Sequence, residues 1–391
     1  MYKIQTLNAI SPAGLHQFSS NNYEINADCT DPDAILVRSA DMHHMQFSSQ
    51  LKVVGRAGAG VNNIPVNALT KLGIPVLNTP GANANAVREL VLAGMLLASR
   101  HILPAGHYVA NLQGTYEEMS QDIEKNKKQF VGIELLGKTL GVIGLGNIGV
   151  KVANAAIALG MRVIGYDPTI SVNRAWELSS NVHQARSIDE LLAVSDFISF
   201  HIPLTKETEN MITQTEINKM KPGVILLNFA RDGIIKNTDL LPALKTRHIA
   251  SYVSDFPNPT LDLPNVIALP HLGASTKEAE ENCAHMIVKQ VSDFLEKGSI
   301  TYSVNFPSIE MGLSPHAIRL AIVNENIPNM VAQISSKLAD AKLNIISLLN
   351  KSREDIAYTL IDVNADISES TLAKLRAIQG VIQVRKIIHS T

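Results

Sequence analysis

TLGVIGLGNIG, residues 139–149, is the stretch on which the fold reading turns. Thr139 to Ile143 read as a buried strand, and Gly144-x-Gly146-x-x-Gly149 follows at once, opening a helix near Asn147. A tight turn needs Gly144, close approach of a pyrophosphate to the backbone needs Gly146, and helix-on-strand packing needs Gly149. The helix start presents free N–H groups to phosphates. The next apolar strand ends at Asp167, 23 residues after Gly144, where a carboxylate accepts both ribose hydroxyls of a dinucleotide. It also repels a 2′-phosphate, and Pro168 and Thr169 stand where an arginine would be wanted. NAD is therefore expected over NADP.

Working outward, MRVIGYD (161–167), DFISFHI (196–202), GVILLNF (223–229), IASYVSDF (249–256) and VIALP (266–270) continue the rhythm. With the first strand they make six, enough for one doubly wound sheet. Upstream, AILV (34–37), LKVVG (51–55) and IPVLN (74–78) precede a long helical pattern from Asn85 to about Leu112 and indicate a second parallel α/β unit. A helical stretch from Lys277 to Lys297 returns the chain to that unit, which is then built from both flanks. SVNFPSIEMGLSP (303–315) reads as a linker. Residues 316–391 read strand, helix, strand, strand, helix, strand, the βαββαβ order of a ferredoxin-like module. In its first helix Ile327, Met330, Val331, Ile334 and Leu338 share a face.

Three polar residues fall at the C-terminal ends of later strands, where a doubly wound sheet places its ligands: Arg231, Asp255 and His271. Oxidation of a 2-hydroxy acid wants an imidazole to take the hydroxyl proton and a guanidinium to hold the carboxylate and polarise the forming carbonyl. Taken singly, Arg231 also fits a surface guanidinium and His271 a strand-end histidine bonded to backbone.

At 391 residues, with 46% hydrophobic and 18% charged positions, the chain is long enough for several domains and too apolar to be disordered. Its 34 basic and 36 acidic residues balance, which argues against a nucleic-acid partner. Two cysteines, Cys29 and Cys283, make neither a disulfide framework nor a metal site and fit a reducing, cytoplasmic setting. The first residues lack the apolar run of a signal peptide, and VLAGMLLAS (91–99) is too short to span a bilayer.

GLGNIG (144–149), HIPLTKETENMI (201–212), MKPGVILLNFARDGII (220–235) and PHLGAST (270–276), in this order and spacing, resemble the NAD-dependent D-2-hydroxyacid dehydrogenase family. The tail resembles an ACT domain, and the resemblance covers nearly the whole chain. It implies a flavodoxin-like substrate domain from 1–97 and 287–310, a Rossmann domain over 98–286, a cleft joining them, and a regulatory module at 316–391. It implies oxidation of 3-phospho-D-glycerate to 3-phosphohydroxypyruvate, the entry step of serine synthesis. Arg231 and His271 would be the catalytic pair, Asn147 and Ile148 would meet the pyrophosphate, and Pro203, Phe229 and Ala230 would line the nicotinamide half with Asp255 on the carboxamide. In the first domain the loop Arg56, Ala57, Gly58, Ala59, Gly60 would bind the substrate carboxylate through backbone N–H groups. Arg38 beside Ser39, together with Arg56, would take the phosphate, and Asn83 would complete the set. Homodimers or homotetramers, and L-serine as an effector at Asn324, Asn326 and Asn344, are implied in the same way.

Two departures from the family pattern stand out. The glutamate that usually orients the catalytic histidine is missing from SDFPNPTLD (254–262), leaving Asp255, Asp262 and Glu278 as the available carboxylates. The tail's loop carries Asn324 where a histidine is usual and Asn329 where a glycine is usual. A hydroxypyruvate or glyoxylate-type reductase and an NAD-sensing corepressor are the competing readings.

Overall fold

The computed structural model describes residues 1–312, 314 and 317–388, which form two units: Met1–Asn83 with Lys277 onward, and Ala84–Thr276. The first unit contains strands β1 (Tyr2–Leu7), β2 (Tyr23–Ile25), β3 (Ala34–Val37), β4 (Val53–Arg56) and β5 (Val76–Leu77), all parallel in the order β2-β1-β3-β4-β5. This is the flavodoxin-like order. The second unit holds β6 (Thr139–Ile143), β7 (Arg162–Tyr166), β8 (Val182–Gln184), β9 (Phe197–Phe200), β10 (Val224–Asn228), β11 (Ile249–Ser254) and β12 (Val266–Ala268). Its order, β12-β11-β10-β9-β6-β7-β8, reverses direction between β6 and β9, so the ligand crevice of a doubly wound sheet falls at the end of β6. Seven strands stand where six were expected, because β8 is three residues long and two of the three, His183 and Gln184, are exposed and polar. The three-residue β2 escaped the sequence reading for the same reason.

The domain boundaries differ from the expected ones at 97/98 and 286/287. Helix Ala84–Arg100 lies wholly in the second unit, where Val87, Val91, Met95 and Ala98 join Val142, Leu227 and Val253 in one core. Helix Lys277–Lys297 lies wholly in the first, with Cys283, Ala284 and Ile287 packed among Ile4, Leu36 and Val53. Each helix buries one continuous face, so the crossings sit at helix starts. The long pattern after Asn85 is two helices, broken at His101, whose φ is 50°, before Ile102–Ala110.

The tail carries β13 (Ile318–Glu325), β14 (Ile345–Arg353), β15 (Ile356–Val363) and β16 (Val381–Ile387) in the antiparallel order β14-β15-β13-β16 expected of a ferredoxin-like module. Helices Met330–Asp340 and Glu369–Arg376 cover one face. Ile327 and Val331 remain exposed, while Met330, Ile334 and Leu338 are buried. The module does not stand apart from the rest of the first unit. Ala321, Val323, Tyr358 and Leu360 on its other face share a core with Phe294, Ile300 and Phe306, which is why β15 is buried along its whole length. The expected linker is also folded. Ile300 and Ile309 form an antiparallel bridge, Phe306 and Ile309 are buried, and the Asn305 amide bonds Ile74 and Thr70. Positions 313 and 315 of that linker, the expected strand start at His316, and positions 389–391 of the module lie outside the described residues. No helix among the described residues is long and apolar enough to cross a membrane.

Arg319 on β13 lies directly opposite Asp362 on β15, and neither side chain is exposed. Its Nε and Nη2 donate to the two carboxylate oxygens at 2.7 and 2.8 Å. Its remaining N–H groups donate to the carbonyls of Lys297, Met311 and Gly312 at 3.0, 2.9 and 2.6 Å. All five guanidinium donors are thereby satisfied. Removing one partner of such a buried pair strands the other charge, at a cost of about 3–5 kcal/mol. Asp362→Ala is expected to lower the unfolding free energy by about that much in urea titrations, and an unchanged midpoint would show that the pair does not hold the unit together.

Candidate functional site

In the second unit the three glycines play three different parts. Gly144 has φ 91°, and a Cβ there would lie 2.6 Å from the His201 carbonyl oxygen. Gly149 abuts the Gly144 carbonyl, 1.9 Å from where a Cβ would sit, so the helix Asn147–Ala158 is pressed onto the strand. Gly146 faces open space, and no side chain caps the helix start. Backbone N–H groups at a bare helix N-terminus beside an open glycine suit an anionic pyrophosphate. Asn147 and Ile148 are the first residues of that helix. Asp167, just beyond β7, accepts from the Leu145 and Thr169 N–H groups at 2.8 and 2.9 Å, which ties the carboxylate to the glycine turn. Carboxylate oxygens keep further acceptor capacity for ribose hydroxyls. The residues present fit a dinucleotide.

His201, at the end of β9, went unassigned in the sequence reading although its motif was recognised. Its Nε2 lies 2.8 Å from Ser199 Oγ, and burial pushes its pKa down to about 3, so the ring under the glycine turn is neutral at ordinary pH. The loop that follows is closed by Thr208, whose hydroxyl donates to the Pro203 carbonyl.

Arg231 and His271 belong to different strand ends, and a buried relay links their backbones. The Asn228 amide donates to the Arg231 carbonyl at 3.0 Å, Asp255 N–H donates to the Asn228 carbonyl at 3.1 Å, and His271 N–H donates to the Asp255 carbonyl at 3.1 Å. Asn228 and Asp255 are each about 1% exposed. The same Asn228 accepts from Ala230 N–H and meets the Tyr252 hydroxyl, so it shapes the whole Phe229-Ala230-Arg231 turn. Phe229 and Ala230 are buried there, and Arg231 Nη1 donates to the Ala230 carbonyl. Asn228 went unnoticed because a strand-end asparagine carries no motif. The Asp255 carboxylate accepts from Leu272 and Gly273 N–H, both at 2.7 Å, and so builds the turn that carries His271. His271 itself has φ 58°, a sparsely populated conformation of the kind found at functional sites.

Of the second unit's carboxylates considered for orienting His271, Asp255 is engaged by those backbone donors and Asp262 is exposed. The ring instead meets the edge of Phe256, with centroids 5.1 Å apart and planes at 67°.

In the first unit Arg38, Ser39, Arg56 and the 57–60 loop follow the ends of β3 and β4, and Asn83 closes the segment after β5. The Ala57 N–H donates to Val37 and the Gly58 N–H to Arg56, so these two expected donors are occupied within the loop. Ala59 and Gly60 N–H have no partner among the described residues. A Cβ at Gly58 would lie 2.1 Å from Arg56 Nη1, so the glycine makes room for the guanidinium. Asn78, also missed, holds the loop by donating to the Ala59 carbonyl at 2.6 Å. Arg38 Nη1 pairs with Glu280 at 2.8 Å. Cys283, one turn along the same helix, has its thiol pKa raised by burial, against the opposing pull of Thr79, Arg56 and Arg38.

In the module, the Asn324 amide is buried and donates to the Glu325 carbonyl. Asn326 donates to the Glu354 carbonyl at the β14–β15 hairpin, whereas exposed Asn344 sits at the opposite end of β14. Nine strand residues separate those ends, roughly 30 Å at the usual rise. Asn326 and Asn344 of one chain therefore cannot hold one small ligand between them. Asn329 adopts φ 71° at the start of the first helix, supplying the left-handed conformation for which a glycine is usual.

The family model for the D-isomer specific 2-hydroxyacid dehydrogenase NAD binding domain matches residues 92–273. The chain is 40% identical over 289 residues to a D-3-phosphoglycerate dehydrogenase of Archaeoglobus fulgidus, covering 71% of this chain and 52% of the relative. It is 31% identical over 396 residues to a D-3-phosphoglycerate dehydrogenase of Haemophilus influenzae, covering 95% and 93%. The NAD-bound 3-phosphoglycerate dehydrogenase structure of Entamoeba histolytica superposes with a TM-score of 0.61 at 27% identity, over 78% of this chain and 98% of that one. The chain spans about half the length of the Archaeoglobus relative and of others like it.

The glycine geometry separates folding from binding. Gly146→Ala is expected to keep the native melting temperature while weakening nucleotide binding, because the new methyl enters open space on the ligand side. Gly149→Ala is expected to destabilise the fold by about 1–3 kcal/mol, the usual range for overpacking. Equal melting temperatures for the two variants would contradict this assignment.

Proposed function

Since the chain belongs to the D-isomer specific 2-hydroxyacid dehydrogenase family and carries its NAD-binding domain, we propose that it oxidises 3-phospho-D-glycerate to 3-phosphohydroxypyruvate, the entry step of serine synthesis. The observation that carries this reading is the relay through Asn228 and Asp255, which ties the Arg231 and His271 turns together at the same strand ends as the glycine turn and Asp167. Relatives named for this activity support the choice of substrate.

When bound, NAD supplies the hydride acceptor for C2 of the substrate. Gly144 to Gly149 with Asn147 and Ile148 would hold its pyrophosphate, and Asp167 would hold the ribose and disfavour a 2′-phosphate. Pro203, Phe229 and Ala230 would flank the nicotinamide, whereas Asp255, first expected on the carboxamide, is buried with its carboxylate on the Leu272 and Gly273 N–H groups and shapes the His271 turn instead. A ring nitrogen of His271 takes the C2 hydroxyl proton as the carbonyl forms. Arg231 pairs with the substrate carboxylate and stabilises the oxygen that becomes the carbonyl. Within the first unit, the backbone donors at Ala59 and Gly60 with Asn83 suit a carboxylate, and Arg38 and Arg56 suit a phosphate as charge-assisted donors. The two thiols, Cys29 and Cys283, are free, which suits a reducing cytoplasm.

Assembly and regulation belong to the same reading. Helices Ile102–Ala110 and Tyr116–Asn126 bury no residue, and Ile102, Leu103 and Val109 are exposed, a surface suited to a second copy of the chain. L-Serine as effector fits an interface along β14, an edge strand with exposed Ile346 and Leu348, where Asn326 of one copy would meet Asn344 of another.

His271→Ala should lower kcat by about 10²–10⁴-fold in an NADH-linked assay with 3-phosphohydroxypyruvate. Near-native turnover would remove His271 from the mechanism. Faster turnover of unphosphorylated hydroxypyruvate by the native chain would make it a hydroxypyruvate-type reductase instead. For the effector, calorimetric titration of L-serine into the dimer should saturate, and Asn326→Ala and Asn344→Ala should each abolish the heat. Saturation undiminished in both variants would place serine elsewhere.

A further inference from the structure

Helix Lys277–Lys297 touches the substrate side of the first unit at one end and the carboxy-terminal module at the other. At its start Glu280 pairs with Arg38 Nη1 at 2.8 Å, and the remaining N–H groups of that guanidinium have no partner among the described residues. One carboxylate oxygen thus fixes the fork while leaving donors for an anion. Midway, Gln290 donates to the Asn78 carbonyl, beside the loop that Asn78 holds.

The helix is pressed against its neighbours without slack. A Cβ at Gly55 would lie 2.8 Å from Ile287 and 2.9 Å from Val291, and one at Gly14 would lie 2.4 Å from Ala284. Gly55 is the residue before Arg56 on β4, so the same contact bears on both substrate arginines.

The last carbonyls of a helix have no partner within it and favour cations. Here the Gly298 N–H meets the Phe294 carbonyl and the Tyr2 hydroxyl that of Leu295, both at 2.9 Å, and the module adds side-chain donors to them. Arg385 Nη2 bonds the Phe294 carbonyl at 2.6 Å and its guanidinium lies 4.2 Å from the centre of the Phe294 ring. Arg319 bonds the Lys297 carbonyl at 3.0 Å, and the Tyr358 hydroxyl bonds Gly298 at 2.8 Å. The module therefore supplies the charged part of this helix's C-terminal cap.

We infer that Glu280 is the positioning residue of the substrate arginine Arg38, and that the carboxy-terminal module holds Glu280 in place by capping the far end of the same helix. The inference rests on the assignment of Arg38 to the substrate. It gives a physical route by which any change at the module reaches substrate affinity and leaves the hydride step alone.

The test uses the full chain with Glu280→Gln, Arg385→Ala, their combination, and Arg385→Lys. Glu280→Gln should raise KM for 3-phosphohydroxypyruvate by about tenfold, the size of one charge-assisted hydrogen bond, with kcat and the KM for NADH little changed. Arg385→Ala should raise the same KM several-fold, Arg385→Lys should restore most of it, and the double variant should be no worse than Glu280→Gln alone. A lower melting temperature with unchanged KM for Arg385→Ala, or multiplicative effects in the double variant, would overturn the inference. If 3-phosphohydroxypyruvate is not turned over at all, the substrate assignment fails separately. Hydrogen exchange then reads the coupling by itself: Arg385→Ala should speed exchange in residues 38–40, and unchanged exchange there would refute it.

Discussion

The guanidinium of Arg319 holds three pieces of the first unit to one point. Its carboxylate partner comes from β15, and its carbonyl partners come from the end of helix Lys277–Lys297 and from the strap at Met311 and Gly312. A buried charge is tolerated only when every donor is matched, so the positions of helix end, strap and sheet are mutually dependent. The module is thereby built into the wall of the first unit, with Phe306 and Tyr358 packed edge to face at 6.1 Å between them.

The second unit rests on a different constraint. A parallel sheet gathers its strand ends along one edge, and the turns that follow must satisfy their own backbone groups. Asn228 and Asp255 do this from below: buried and fully engaged, they shape the turns carrying Arg231 and His271. The residues proposed for chemistry are therefore held by neighbours that need never touch substrate. His271 keeps a left-handed backbone because its N–H is bonded to both Asp255 and Leu269 carbonyls. The Phe256 edge then limits the ring.

Much of this was legible from local pattern. The spacing of Gly144, Gly146 and Gly149 after an apolar strand has few physical readings, and the structure gives each glycine a separate reason. The alternation of strands and helices identified the three folds, and Arg231, Asp255 and His271 were found at strand ends because chain direction alone says which end of a parallel strand faces ligand.

What tertiary structure decided were the matters that depend on partners distant in sequence. Short β2 and β8 exist because neighbouring strands offer an edge to pair with, not because their own residues insist on it. The crossings between units moved to Ala84 and Lys277 because a helix face commits to one core, and which core is a question of packing. The strap after Ser303 looked like a linker because its two prolines and weak periodicity say nothing about Ile300 pairing with Ile309. Asn228, Asn78 and Glu280 are ordinary residues in the sequence, and only folding sets each beside the backbone or guanidinium that it holds. Sequence by itself determined which groups carry charge, hydrogen-bonding capacity and backbone freedom; the folded chain decided which of them meet, because a hydrogen bond depends on distance and direction that residue identity does not contain.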